Sequence, residues 1–182
     1  MNEVQLIREQ LSRERRHVAA VANACAAVLS GADASALASG SPLWEFRQAC
    51  VEYLAHVLAW FEERDQRLIE AAHERRTREG AEPSGAFAEA VASPGGSREA
   101  LEKLAQACAR SGGWQEFARF FNGAWCPRRD ALDAWLTPDA RVADWRAVGG
   151  VDADSILQER QLYARVEATR PARVTLEPAH GT

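Results

Sequence analysis

Residues 42–76, with the sequence PLWEFRQACVEYLAHVLAWFEERDQRLIEAAHERR, form the longest uninterrupted helical pattern in this chain of 182 residues. Ser41 comes directly before Pro42, and a serine cap followed by a proline at the first helical position is typical of a helix start. Apolar residues recur at intervals of three and four, as they do along one face of an α-helix. This main stripe comprises Leu43, Cys50, Leu54, Val57, Leu58, Phe61, Leu68 and Ala72. A second, weaker stripe comprises Ala49, Tyr53, His56 and Trp60, so we expect this helix to be covered on more than one side.

Further helical patterns lie on both sides of this segment. Pro127, four residues after Gly123, predicts a kink, because its ring crowds the carbonyl one turn earlier. The predicted helices cover residues 3–29, 42–78, a segment that follows Ser97 and ends before Ser111, residues 114–136, a short segment after Pro138, and a segment that begins at Asp152 or Asp154. We therefore predict an all-α, up-down bundle of four main helices with additional C-terminal helices. Residues 1–168 are predicted to form one domain, and residues 169–182 a flexible tail.

The composition predicts a soluble, cytoplasmic protein. The formal net charge is −4, and a nucleic-acid surface would need a basic stripe instead. The chain has no apolar run of about 20 residues, so no membrane span is expected. Its four cysteines are widely spaced, which favours reduced, buried thiols over a disulfide framework. Arginines cluster at 13–16 and at 75–78, but acids interleave with them, which favours solvated helix faces.

Five charged residues fall on faces that are otherwise apolar. A charge buried on such a face needs a partner, and the planar guanidinium of arginine pairs well with carboxylates. We therefore predict a buried ion-pair network that fixes how the helices pack. Its members are Glu14, Arg47, Asp65, Arg128 and Glu159.

Two Glu-x-x-His motifs raise the alternative of a metal site, because di-iron carboxylate bundles place such a pair on each of two helices. In the pair Glu14 and His17, the glutamate faces the apolar stripe of its helix and the histidine borders it. The pair Glu70 and His73 lies away from the main stripe of residues 42–76. The candidate metal ligands are therefore Glu14, His17 and Asp65.

A histidine about seventeen residues into the first helix, followed by a second helix that reads HVLAWFEERDQRL, resembles the helical HHE cation-binding bundles related to hemerythrin. The resemblance covers mainly residues 3–72, and His17 matches the first-helix histidine of that family. It implies a helical bundle and the handling of iron, oxygen or NO. The family has a glutamate four residues after the second-helix histidine, where this chain has Trp60 after His56. Residues 98–136 contain no histidine, so we predict a degenerate iron site.

Three functional hypotheses remain open. The first is a non-enzymatic cytoplasmic bundle that acts through contacts with a protein partner, without a cofactor. The second is an iron or di-iron bundle for oxygen, NO or redox sensing or for iron handling. The third is a small-molecule-binding regulator that uses the irregular region near Pro127. Motifs of hydrolases and P-loop proteins are absent from the sequence. The stripe of Tyr53, His56 and Trp60 is a candidate interface, either inside the subunit or in a homodimer.

Overall fold

The computed structural model describes residues 3–32, 36–80, 96–109, 113–136, 142–147 and 153–176. These residues contain helices and no strand, which confirms the all-α class. The helices are α1 (Glu3–Leu29), α2 (Pro42–Glu79), α3 (Ser97–Ala109), α4 (Gly113–Phe120), a π-helical turn (Phe121–Trp125), α5 (Cys126–Leu136), α6 (Val142–Ala147) and α7 (Ala153–Thr169). No helix in the described part of the chain is long and apolar enough to cross a membrane.

The ends of α2 follow the sequence closely. The Ser41 hydroxyl accepts a hydrogen bond from the backbone N–H of Trp44 at 3.1 Å, and Pro42 occupies the first helical position. At the other end Gly80 has φ of 65°, a left-handed conformation in which its N–H reaches the carbonyls of Arg76 and Thr77. Glycine adopts this conformation without the steric cost that a Cβ would bring. The predicted bounds of this helix are therefore confirmed to within a residue or two.

The start of α3 differs by one residue from the prediction of a helix that follows Ser97. Ser97 is itself the first helical residue, and its buried hydroxyl accepts a hydrogen bond from Trp125 Nε1 at 3.3 Å. The backbone N–H of Arg98 instead donates to the Glu62 carboxylate on α2 at 3.2 Å. A tertiary contact thus satisfies one of the unpaired N–H groups that begin every helix.

The predicted kink near Pro127 takes the form of a π-helical turn. Between α4 and α5, residues Phe121–Trp125 form wider i→i+5 hydrogen bonds, and the N–H of Cys126 donates to the carbonyl of Phe121. A π-turn inserts one extra residue into a helix, so every residue after it is rotated relative to a regular α-helix. The buried positions on this face accordingly recur every four residues: Phe117, Phe121, Trp125 and Arg129.

Helix α2 lies at the centre of the fold, in contact with α1, α3, α6 and α7. It contacts α7 most extensively, and Tyr53 of the second stripe lies against α7. Helix α4 contacts both α1 and α3. Beyond α7, Val174 and Leu176 pack against the core, although the flexible tail was predicted to begin at residue 169. The remainder of that tail, 177–182, lies outside the described residues.

The core consists of two apolar clusters. The larger is built from α1, α2, α3, α4, the π-helical turn and α7, and includes Val18, Phe61 and Trp125. The smaller includes Leu11, Leu68 and Leu132 from α1, α2 and α5, with Trp145 from α6. Buried charged residues lie between the two clusters on α1, on α2 and on α5.

Candidate functional site

A layer of buried polar side chains separates the two apolar clusters, and we call it the polar layer: Gln10, Glu14, Arg64, Asp65 and Arg129. Glu14 lies between Leu11 and Val18 on α1, and Arg129 lies between Trp125 and Leu132 on α5. Arg64 and Asp65 lie between Phe61 and Leu68 on α2. One turn of each helix therefore contributes to the layer, which joins α1, α2 and α5.

Ion pairs connect the charged members of the polar layer. Arg64 Nη1 donates to Glu14 Oε2 at 2.8 Å, and Arg64 Nε lies 3.7 Å from Asp65 Oδ1. Arg129 donates to the other carboxylate oxygen of Asp65, and the Gln10 amide donates to Glu14 Oε1. The side chains of Glu14, Arg64, Asp65 and Arg129 are all 1–2% exposed. Burial of this kind is tolerated because each charge has an opposite charge beside it.

Aromatic rings hold both guanidinium groups in place. The guanidinium carbon of Arg64 lies 4.6 Å from the ring centre of Trp60 and 4.8 Å from that of Phe61. The guanidinium carbon of Arg129 lies 4.7 Å from the centre of the Phe61 ring. Arginine suits this environment, since its flat and weakly hydrated cation stacks on ring faces while its edge pairs with carboxylates. Phe61 thus contacts both cations of the polar layer.

A second polar group, which we call the His–Tyr cluster, joins α1, α2 and α7: His17, Tyr53, Glu159 and Tyr163. His17 Nδ1 donates to Glu159 Oε1 at 2.8 Å, and the Tyr53 hydroxyl donates to the same oxygen at 3.1 Å. The His17 ring stacks on Tyr163 with 3.9 Å between the ring centres. Glu159 is fully buried, and its other oxygen, Oε2, has no hydrogen-bond partner in the described part of the chain. Glu159 therefore anchors α7 to both α1 and α2.

Ionisation of Tyr53 is strongly opposed in this cluster. Burial, together with the negative charge of Glu159, raises the pKa of Tyr53 well above its usual value of 10. Burial also raises the pKa of Tyr163, with Glu167 and Glu159 as smaller causes. A neutral Tyr53 is required for its hydroxyl to donate to Glu159.

This pKa shift predicts how stability depends on pH. A group whose pKa is raised by folding stabilises the folded chain below its unfolded pKa, and that stabilisation falls as the pH rises towards the folded pKa. We expect Tyr53→Phe to cost about 1–3 kcal/mol at pH 8, and the difference from the wild type to shrink between pH 8 and pH 11. Urea denaturation at several pH values measures it. Tyr163→Phe is the control and should show a smaller pH effect. If the stability difference between Tyr53→Phe and the wild type stayed constant over this pH range, it would contradict the raised pKa of Tyr53.

The predicted metal ligands do not come together as one site. Glu14 and Asp65 belong to the polar layer and are paired with arginines, whereas His17 belongs to the His–Tyr cluster. The described residues contain no group of three or more His, Cys, Asp or Glu side chains placed to hold a metal ion. Trp60, in the position of the second-helix glutamate of the HHE bundles, covers Arg64.

The predicted ion-pair network needs two corrections. Arg47 donates to the backbone carbonyl of Cys108 at 3.2 Å, so it does not pair with an acid of the network. Arg128 pairs with Glu99 at 2.6 Å and is 39% exposed. The arginines in the polar layer are instead Arg64 and Arg129, while Glu159 is held by His17 and Tyr53.

Sequence spacing contained a local signal for both of the missed arginines. Arg64 lies three residues after Phe61 and four before Leu68, which places it on the buried stripe of α2. Arg129 lies four residues after Trp125 and three before Leu132, although regular α-helical spacing over the whole face from Phe117 puts Arg128 at its middle. The π-helical turn shifts that position by one residue.

The candidate interface is covered within the chain at one of its three positions. Tyr53 is fully buried against Glu159 and Tyr163 of α7. His56 and Trp60 are half-buried. The Nε2 atom of His56 is shielded from solvent and lacks a hydrogen-bond partner among the described residues.

Comparisons with protein-family models, with curated proteins and with solved structures return no match. The function is therefore inferred from the geometry of the polar layer and the His–Tyr cluster.

Proposed function

We propose that this chain is a non-enzymatic cytoplasmic protein with a hemerythrin-like bundle, in which buried ion pairs replace the iron site. In this proposal the protein acts through contacts with a protein partner. The observation that carries it is the pairing of Glu14, the acid on the apolar stripe of α1, with Arg64 at 2.8 Å. A carboxylate that accepts a hydrogen bond on each oxygen, from an arginine and from an amide, is partly satisfied without a metal, and a nearby guanidinium repels a metal cation.

The remaining polar contacts support the same role. Asp65 is engaged by Arg129 and Arg64, and His17 is engaged by Glu159. The contact of Asp65 with Arg129 joins α2 to α5, and the contact of His17 with Glu159 joins α1 to α7. The contact of Arg64 with Asp65 lies within α2. Buried ion pairs of this kind stabilise a structure weakly but discriminate against helices packed in another register. The polar core is thus proposed to specify the bundle.

Iron content tests this proposal most directly. The purified chain is reconstituted with ferrous iron, passed over a desalting column, and measured for bound iron and for visible absorption. We expect less than stoichiometric iron, no absorption band from an iron centre, and no difference between the wild type and His17→Ala. Stoichiometric iron that is lost in His17→Ala would overturn the proposal.

A metal-binding bundle is the second candidate, and one observation favours it. Glu159 Oε2 is buried without a hydrogen-bond partner in the described residues, beside His17 and Tyr53. A single cation held by His17 and Glu159 would satisfy that oxygen. The same iron measurement on Glu159→Gln separates the candidates, since only the metal-binding one predicts that this variant loses iron.

The partner contact is proposed for the exposed side of α2 and α7. His56 and Trp60 are half-buried on α2, and Leu157 on α7 is 54% exposed. A homodimer through this face is one form of the proposal. Light scattering over a range of protein concentrations tests it, because a dimer that dissociates on dilution should become monomeric in Leu157→Glu.

A further inference from the structure

A groove of about 810 Å³ lies beside the N-terminal half of α1, and Arg160 of α7 also lines it. Three of its lining residues are arginines, Arg13, Arg16 and Arg160. The other lining residues are Leu6, Glu9, Gln10 and Ser12. Residues 9, 12, 13 and 16 are three or four apart, so they share one face of α1. The groove borders the polar layer, since Gln10 belongs to both, and it shares no residue with the His–Tyr cluster.

None of the three arginines forms an ion pair with a carboxylate of the described residues. Elsewhere on the surface, comparable arginines do: Arg15 pairs with Asp130, and Arg165 pairs with Glu52. Glu9 lines the groove as well, and its carboxylate accepts a hydrogen bond from Gln5 at 3.2 Å. One carboxylate among three guanidinium groups leaves the groove with an excess of positive charge.

Two of these arginines are held in place by neighbours that do not neutralise them. Arg13 donates from Nη2 to the side-chain oxygen of Gln10, whose amide in turn donates to Glu14. Arg16 donates from Nε to the backbone carbonyl of Ser12 at 3.3 Å. The Nε of Arg13 is shielded from solvent without any acceptor in the described part of the chain. The guanidinium groups are therefore partly oriented before any ligand binds, which lowers the entropic cost of binding.

We propose that this groove binds the phosphate group of a small phosphorylated molecule. Guanidinium groups pair with phosphate through two parallel hydrogen bonds, and several of them together favour a dianion over a single carboxylate. The volume exceeds what inorganic phosphate alone would fill and falls within the range of small-molecule sites. Leu6, 45% exposed at the groove, offers an apolar contact for the organic part of the ligand.

Isothermal titration with inorganic phosphate and with phenyl phosphate, at constant ionic strength, tests the proposal. We expect both to bind, with phenyl phosphate tighter because its ring packs on Leu6. Arg160→Gln and Arg16→Gln should each weaken binding at least about tenfold, the loss of one charge-assisted contact. The matched controls Arg165→Gln and Arg15→Gln, each one carrying the same charge change on the same helix, should bind as the wild type does.

Each result of the titration either supports or contradicts the binding of phosphate by these arginines. Binding of both ligands with equal affinity would identify free phosphate as the ligand of the same arginines. Absence of heat from either ligand would overturn the proposal. Equal weakening in the test and control variants would overturn it too, since it would show attraction by net charge alone. Circular dichroism of all four variants should match the wild type, because the contacts described for Arg16, Arg15 and Arg165 are made to Ser12, Asp130 and Glu52, outside the polar layer.

Discussion

Replacing Arg129 with methionine is expected to lower the free energy of unfolding by about 3–5 kcal/mol. Methionine preserves most of the volume of the side chain, so the loss comes mainly from charge and hydrogen bonding. Asp65 would remain buried at 2% exposure, with only the 3.7 Å contact to Arg64 Nε to compensate it. Urea denaturation at pH 7 measures the change.

The neighbouring arginine provides a matched control for this experiment. Arg128→Met makes the same chemical change one residue earlier, at a side chain that is 39% exposed and paired with the exposed Glu99. It should change the free energy of unfolding by no more than about 0.5–1 kcal/mol. If the two variants were equally stable, or if Arg128→Met were the more damaging, the π-helical turn would not set the register of α5 as described.

Replacing Arg64 with methionine is the second substitution with a large expected effect, again about 3–5 kcal/mol. Arg64 contacts both acids of the polar layer, Glu14 at 2.8 Å and Asp65 at 3.7 Å. Its removal leaves Glu14 with the Gln10 amide as its remaining hydrogen-bond donor among the contacts described.

Arg67 is the control on the same helix. It pairs with Glu63 one turn away, and both side chains are more than half exposed, at 56% and 62%. Exposed pairs of this spacing contribute about 0.3–0.5 kcal/mol, so Arg67→Met should be nearly neutral. A similar loss in both variants would indicate a general effect of removing positive charge from α2, and would contradict the ion pairs of the polar layer.

The parts of the fold that depend on a few adjacent residues were predictable from the sequence. Ser41, Pro42 and Gly80 define the ends of α2 through backbone geometry that depends on a few adjacent residues. The start of α3 was predictable in position but not in mechanism, because Glu62 comes from a distant part of the sequence. The extensive packing of α7 on α2 was also not predictable, since apolar spacing identifies a buried face without identifying what covers it.

The site was predictable for its acids and less so for its cations. Glu14, Asp65 and Glu159 are carboxylates on apolar stripes, and all three are buried. Arginine is harder to assign, because its long side chain can carry the charge away from the face on which its Cα lies. Arg47 does so, since it reaches the carbonyl of Cys108. Arg128 was misplaced for another reason, the extra residue in the π-helical turn, which a fixed helical period does not represent.

A double-mutant cycle on Glu14 and Arg64 tests the central claim, that an arginine and not a metal holds the core carboxylate of α1. The free energy of unfolding is measured in a chelating buffer for the wild type, Glu14→Leu, Arg64→Leu and the double variant. We predict that the two single losses together exceed the loss in the double variant by at least about 2 kcal/mol, because the pair is removed as a unit. Additive losses, with a coupling energy near zero, would contradict it.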